Sequence, residues 1–165
     1  MGTKRSIRGR TMLGLICGLI LVFLIATPSR TQQSLVGTWK LVSHQREIDG
    51  KPDPMPAKPP RGYFIITPKV YVMFQTDGTR KYGESAADKA ALWETMTAIA
   101  GSYRIEGKKL VMIREIHSNE SMVGTPATTN WEIKGGRLIL IEEPRPWSRD
   151  PSKKLSLRRE YERID

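Results

Sequence analysis

From residue 36 onward, apolar positions recur at every second residue rather than every third or fourth, in short runs. That period predicts extended strands with one buried face. Eight runs stand out: Val36 to His44, Gly62 to Thr67, Val70 to Gln75, Gly101 to Glu106, Leu110 to His117, Thr128 to Ile133, Arg137 to Glu142 and Leu155 to Arg163. Pro68-Lys69, Gly107-Lys108 and Lys134-Gly135-Gly136 separate neighbouring runs as hairpin turns. The expected fold is all-β, an eight-stranded up-and-down antiparallel barrel, because closure removes the exposed edges that an open sheet would leave.

One segment breaks the pattern. Ser85 to Ala100, between the third and fourth runs, is rich in Ala, Leu, Met, Glu and Lys, and Ser85 with Asp88 forms a capping box. A helix is predicted there, with Leu92, Met96, Ile99 and Ala100 on one face. That face would dock on the barrel wall, close one end, or gate a ligand. The segment KPDPMPAKPP carries five prolines in ten residues and cannot join a central strand. It reads as a rim loop, and EPRPWSRDPSKK before the last run reads as another loop.

The N-terminus follows a different logic. MGTKRSIRGR is basic, MLGLICGLILVFLIA is an apolar run of fifteen residues, and TPSRTQQ is polar. This is the layout of an export signal, so residues 1–30 form the signal and 31–165 the folded domain. The alternative is a membrane anchor at residues 12–26, although a spanning helix needs ~20 apolar residues. Either way the positive-inside rule sends the domain across the membrane, to a periplasmic or extracellular location. Cys17, the one cysteine, lies inside the apolar run. The mature domain is therefore predicted to hold no disulfide, thiolate metal site or thiol nucleophile.

The net charge of +10 shrinks once it is located. Residues 1–30 hold five basic side chains and no acids, leaving 22 basic against 17 acidic side chains, +5, for the remainder. Those charges are interspersed and no aromatic-interleaved basic stripe emerges, so nucleic acid is not expected as a partner. Two histidines, His44 and His117, lack carboxylates at ligand spacing, so no metal or cofactor is expected. There is no GxSxG and no glycine-rich phosphate loop; Glu142 and Glu143 are adjacent and would point to opposite faces of a strand. No catalytic residue is assigned.

Strand alternation nominates the interior. In the first run Gly37, Trp39, Leu41 and Ser43 share one face and Thr38, Lys40, Val42 and His44 the other; in the last, Leu155, Leu157, Arg159 and Tyr161 share a face. A charge at Arg159 among apolar neighbours needs compensation. If the last strand pairs with the first, Arg159 can lie over the Trp39 ring, with Gly37 letting the chain pass beneath, and seal one end. The alternative is an Arg159 that snorkels to solvent from an edge strand. Tyr63, Tyr103, Arg114, His117 and Trp131 each interrupt an apolar strand and are the candidate ligand-binding residues. Tyr63 shares parity with Ile65, and Tyr103 with Ile105; the parity of Arg114 against His117 stays open.

Gly37-Thr38-Trp39 opening the first strand, with an Arg near the end of the last, resembles the GxW-plus-Arg signature of the calycin group. The ordered set LVGTWKLVSHQREIDG, PRGYFIITPKVYVMFQ, AGSYRIEG and GGRLIL resembles the bacterial lipocalin-like domain family over nearly all of residues 35–165. Pro68-Lys69-Val70 stands where that family carries Pro-Asp-Gly, and Thr129 near where relatives carry an inward Arg. The resemblance implies a small barrel with an internal cavity. Joined to the strand pattern, it makes a small hydrophobic or amphipathic molecule the expected partner. A cavity enzyme (isomerase, cyclase or hydrolase) and an envelope protein-interaction module are the alternatives, the last using the Pro-rich loop and the helix.

Overall fold

The computed structural model describes residues 34–54, 60–147 and 150–165. The expected export signal or anchor at residues 1–30 lies outside them, as does the middle of the Pro-rich loop, residues 55–59. Ten strands follow in chain order: β1 (Gly37–Ile48), β2 (Lys51–Pro52), β3 (Arg61–Ile66), β4 (Val70–Thr76), β5 (Met96–Glu106), β6 (Lys109–Ile113), β7 (Ile116–His117), β8 (Pro126–Lys134), β9 (Arg137–Trp147) and β10 (Asp150–Arg163). A helix α1 (Ala86–Glu94) joins β4 to β5.

The two-residue strands β2 and β7 are side pieces on β1 and β5. The other eight run in the order β10-β9-β8-β6-β5-β4-β3-β1, and β1 pairs back onto β10. All pairings are antiparallel. The fold is therefore a closed up-and-down barrel of eight strands with one helix, as the period-two pattern requires.

Closure is made by the two ends of the chain. Trp39 is opposite Arg163 in the β1–β10 register, and the Arg163 guanidinium lies 4.6 Å from the centroid of the Trp39 ring. It also donates to the carbonyls of Ser34 at 2.8 Å and Val36 at 3.0 Å. Trp39 is 1% exposed, and its indole N–H donates to the Leu35 carbonyl. Gly37 has a φ of +152°, and a Cβ there would sit 3.0 Å from an Arg163 nitrogen. The predicted cap thus exists with a different arginine. Arg159 and Arg163 occupy the same face of β10, and the β1–β10 register places Arg159 level with His44 instead.

Around Trp39 the barrel is filled. Leu35, Trp39, Phe64, Ile66, Tyr71, Leu110, Leu138 and Tyr161 pack as one cluster. Phe64 meets Tyr71 edge-on at 6.0 Å between centroids and Tyr161 at 5.8 Å. Such pairs exceed their area burial by ~0.5–1.5 kcal/mol each.

Three sequence expectations change. The helix stops at Glu94, and Met96, Ile99 and Ala100 belong to β5, paired with Thr76, Met73 and Val72. Strand pairing outweighs helix propensity here, which is worth only tenths of a kcal/mol per residue. The capping box of Ser85 and Asp88 is present, but no residue of α1 is buried, so the helix docks on no wall. The loop before the last run is largely strand, since β9 and β10 continue as a paired arm to Trp147 and Asp150.

Tyr63 faces outward at 46% exposed, with Ile65 beside it, because Gly62, Phe64 and Ile66 take the inner face of β3. Both faces of this strand are apolar, so alternation alone cannot orient it.

If Arg163 holds the seam, Arg163→Leu will lower the unfolding free energy by about 2 kcal/mol, the sum of a cation–π contact and lost carbonyl hydrogen bonds. Urea denaturation measures it; a change within error would remove Arg163 from the closure.

Candidate functional site

The bulky aromatic side chains gather around Trp39, and the end of the barrel away from it is hollow. A cup of about 450 Å³ opens there. Tyr71, Met73, Met112 and Leu140 line its apolar part, joined by Ile99, Leu155 and Leu157. Its polar groups come chiefly from three consecutive strands, β9, β10 and β1. They are Glu142, Arg159 and His44. Arg46, Arg114, Arg145 and His117 also line it, and near His44, Gln75 and Thr97 it runs on toward a second hollow of about 500 Å³.

His44 reaches the interior through a bulge. Between Leu41 and Ser43 the β1 register advances by two residues while β10 advances by one. Such an insertion reverses the facing of every residue beyond it. Gly37, Trp39 and Leu41 point in before the bulge; His44 and Arg46 line the cup after it. The alternation read from sequence placed His44 outside. No turn residue or glycine marks the spot, so the bulge has no local signal.

The three polar groups are neighbours: Glu142 and Arg159 are bonded, and His44 lies opposite Arg159 on the next strand. Arg159 Nη1 donates to Glu142 Oε1 at 2.6 Å, and the Arg159 side chain is only 13% exposed. Burial alone would raise the Glu142 pKa, but the charge and hydrogen bond of Arg159, helped by Arg145, pull it below its usual value. Arg159 stays protonated: burial opposes its charge, and Glu142 more than compensates. The His44 pKa falls from 6.5 to about 4, first because of burial and then because Arg159 and Arg46 repel a second positive charge, outweighing the attraction of Glu142. His44 is therefore neutral at physiological pH. Its Nδ1 lies 3.0 Å from the Gln75 amide nitrogen.

The other sequence candidates divide. Pairing with β5 is irregular between β6 and β7, where the Ile113 carbonyl oxygen packs so closely on Gly101 that a Cβ there would lie 1.9 Å from it. Past that point both Arg114 and His117 line the cup. Arg114 donates to Thr125 Oγ1 at 2.7 Å, and His117 Nδ1 accepts from the Asn119 N–H at 2.9 Å. Burial and then Arg114 depress the His117 pKa.

Tyr103 and Trp131 instead pack against the core cluster. The Tyr103 hydroxyl is used by the Thr67 carbonyl at 2.7 Å. Tyr63 lies outside the barrel. Glu142, mentioned in the sequence only for its opposition to Glu143, is central to the cup, whereas Glu143 binds Lys109 on the surface. Among the described residues no cluster of three or more His, Cys, Asp or Glu side chains could hold a metal ion.

No protein-family model matches this chain, and no curated protein does. Among solved structures, a crystal structure of a point mutant of the fluorescent protein UnaG aligns with 81% of this chain and 98% of its own length. The identity is 18% and the TM-score 0.37. The strand pairing described above, rather than this alignment, establishes the barrel.

The buried neutral imidazole makes stability depend on pH. Between pH 6.5 and about 4 the unfolded chain protonates His44 and the folded chain does not, so stability falls as pH drops through that window. The loss is up to roughly 3 kcal/mol. Glu142 adds a separate loss only below its ordinary 4.5, as pH falls through its depressed folded value. In urea unfolding at pH 7, 5.5 and 4, His44→Phe will flatten the slope above pH 4.5; an unchanged slope would show that His44 is not buried neutral.

Proposed function

We propose that this chain is an exported binding protein of the bacterial lipocalin-like type, holding one small amphipathic molecule in the open half of its barrel. The observation that carries this reading is the unequal filling of the interior. Eight strands enclose either packed side chains or space for one small ligand; here one half is packed and the other is a 450 Å³ cup. Known small-molecule pockets span ~300–1,000 Å³. The wall supports an amphipathic occupant, since Met73, Ile99, Met112, Leu140 and Leu157 can cover an apolar body while Glu142, Arg159 and His44 gather on one side.

Export is supported by the basic-then-apolar order of residues 1–26. The ordered strand motifs from Gly37 onward support the lipocalin-like assignment. An interaction module would have no need of a hollow interior, although the outer faces of Tyr63, Ile65, Val72 and Phe74 are exposed. A cavity enzyme would draw on His44 beside the Glu142–Arg159 pair, the place where titratable groups converge.

Titration with the uncharged fluorophore Nile red will give saturable one-to-one binding to the monomer. Ala127→Trp, which places an indole in the cup, will weaken it at least tenfold and leave the strand circular dichroism unchanged. Mass spectrometry of protein from its native compartment will report a mature N-terminus near residue 30 and any molecule carried along. Binding that ignores Ala127→Trp would remove the cup as the site.

A further inference from the structure

Two N–H donors at the polar side of the cup have no acceptor among the described residues. Arg159 gives Nη1 to Glu142, but its Nε is buried and unpartnered. His44 Nε2 is buried and unpartnered as well. The Gln75 amide nitrogen can only donate, so Nδ1 of His44 accepts from it, and the single proton of a neutral imidazole is left on Nε2. His44 and Arg159 are cross-strand partners in the β1–β10 register, and both side chains line the cup. Opposed residues on one face hold their Cβ atoms ~4.5–5.5 Å apart. The two N–H groups thus belong to one small region of wall.

The charge of that region is already balanced. Glu142 occupies the strong side of the Arg159 guanidinium at 2.6 Å, and His44 carries no charge. A carboxylate placed against Arg159 Nε would share one buried cation with a second carboxylate, a like-charge pairing that opposes ionisation of both. Three further cations line the cup. Arg46 is paired with Asp53, Arg145 is half exposed and leans on Glu142, and Arg114 is held by Thr125 Oγ1 and the Pro126 carbonyl away from the His44–Arg159 rung. Pairing, water and salt reduce the pull of Arg46 and Arg145 on an anion.

Resting on the binding-protein reading, we infer that the cup selects an uncharged oxygen acceptor, the carbonyl of a ketone, ester, lactone or amide, seated between His44 Nε2–H and Arg159 Nε–H. Glu142 acts as the built-in counter-ion that turns acids away from this position. Buried donors left unmade are costly, so a ligand offering one well-placed oxygen gains where an alkane of equal length does not.

The test uses full-length protein and displacement of Nile red by three probes of matched length: 2-decanone, decanoate and decane, at pH 7.5. The wild type will bind 2-decanone about tenfold more tightly than either of the others, the equivalent of one net hydrogen bond. His44→Phe will narrow the advantage of 2-decanone over decane, leaving only the bond to Arg159 Nε–H. Glu142→Gln will free the Arg159 charge and reverse the preference, with decanoate binding more tightly than 2-decanone. Should Glu142→Gln fail to fold, the His44→Phe comparison decides alone.

Decanoate binding best to the wild type, or all three probes binding alike, overturns the acceptor assignment and leaves the cavity reading standing. Failure of Nile red to bind at all overturns both.

Discussion

The pairing of β1 with β10 is the constraint on which the rest depends. It joins residues more than a hundred positions apart, and its register is set where Arg163 covers Trp39 and grips the carbonyls of Ser34 and Val36. The closing segment adds Ile164 N–H to the Thr38 carbonyl and the Asp165 carboxylate to the Thr38 N–H. With that end fixed, the bulge after Leu41 decides which side chains turn inward farther along the seam. His44 turns inward and meets Arg159, and Arg159 meets Glu142 across β9. Were β1 to slip by one residue along β10, His44 would turn to solvent and leave the pair.

Filling one end has a structural consequence for the other. The aromatic residues Trp39, Phe64, Tyr71 and Tyr161 gather near the chain termini, where their volume completes the interior. Beyond them the inward positions carry polar and aliphatic side chains but no further cluster of rings, and a hollow remains between opposite walls. The stable half therefore acts as a platform for the open half. The helix α1 lies at the open end, with no helical residue buried, so little packing energy ties it down.

The Glu142–Arg159 pair is better read as a specificity device than as a source of stability. Two ions removed from water recover little more than their desolvation cost, and an apolar pair of similar volume is often as stable. What the pair does is hold charge and hydrogen-bonding direction in an otherwise apolar chamber. His44 stays neutral chiefly because it is buried, and the charge of Arg159 adds to that against the attraction of Glu142.

Some of this was legible in the residues alone. The period-two runs specified eight strands, the turn residues specified hairpins, and the wish to avoid edges specified a barrel; Trp39 and an arginine of the last strand were recognisable as its cap. Local alternation carries that information because it depends on nothing beyond the strand itself. The identity of the arginine, the inward turn of His44 and the role of Glu142 were not legible, since each arises from the register between distant strands and from an unmarked bulge. Tyr63 shows the same limit, with apolar residues on both faces of its strand and no local rule to choose between them. Met96 to Ala100 adds the converse case, where helix propensity was clear and a partner strand outweighed it. The sequence by itself determined the eight barrel strands and the presence of a helix between the third and fourth; only the closed sheet decided where the helix ends and which side chains face one another across the cup, because both are properties of pairs that the chain brings together from far apart.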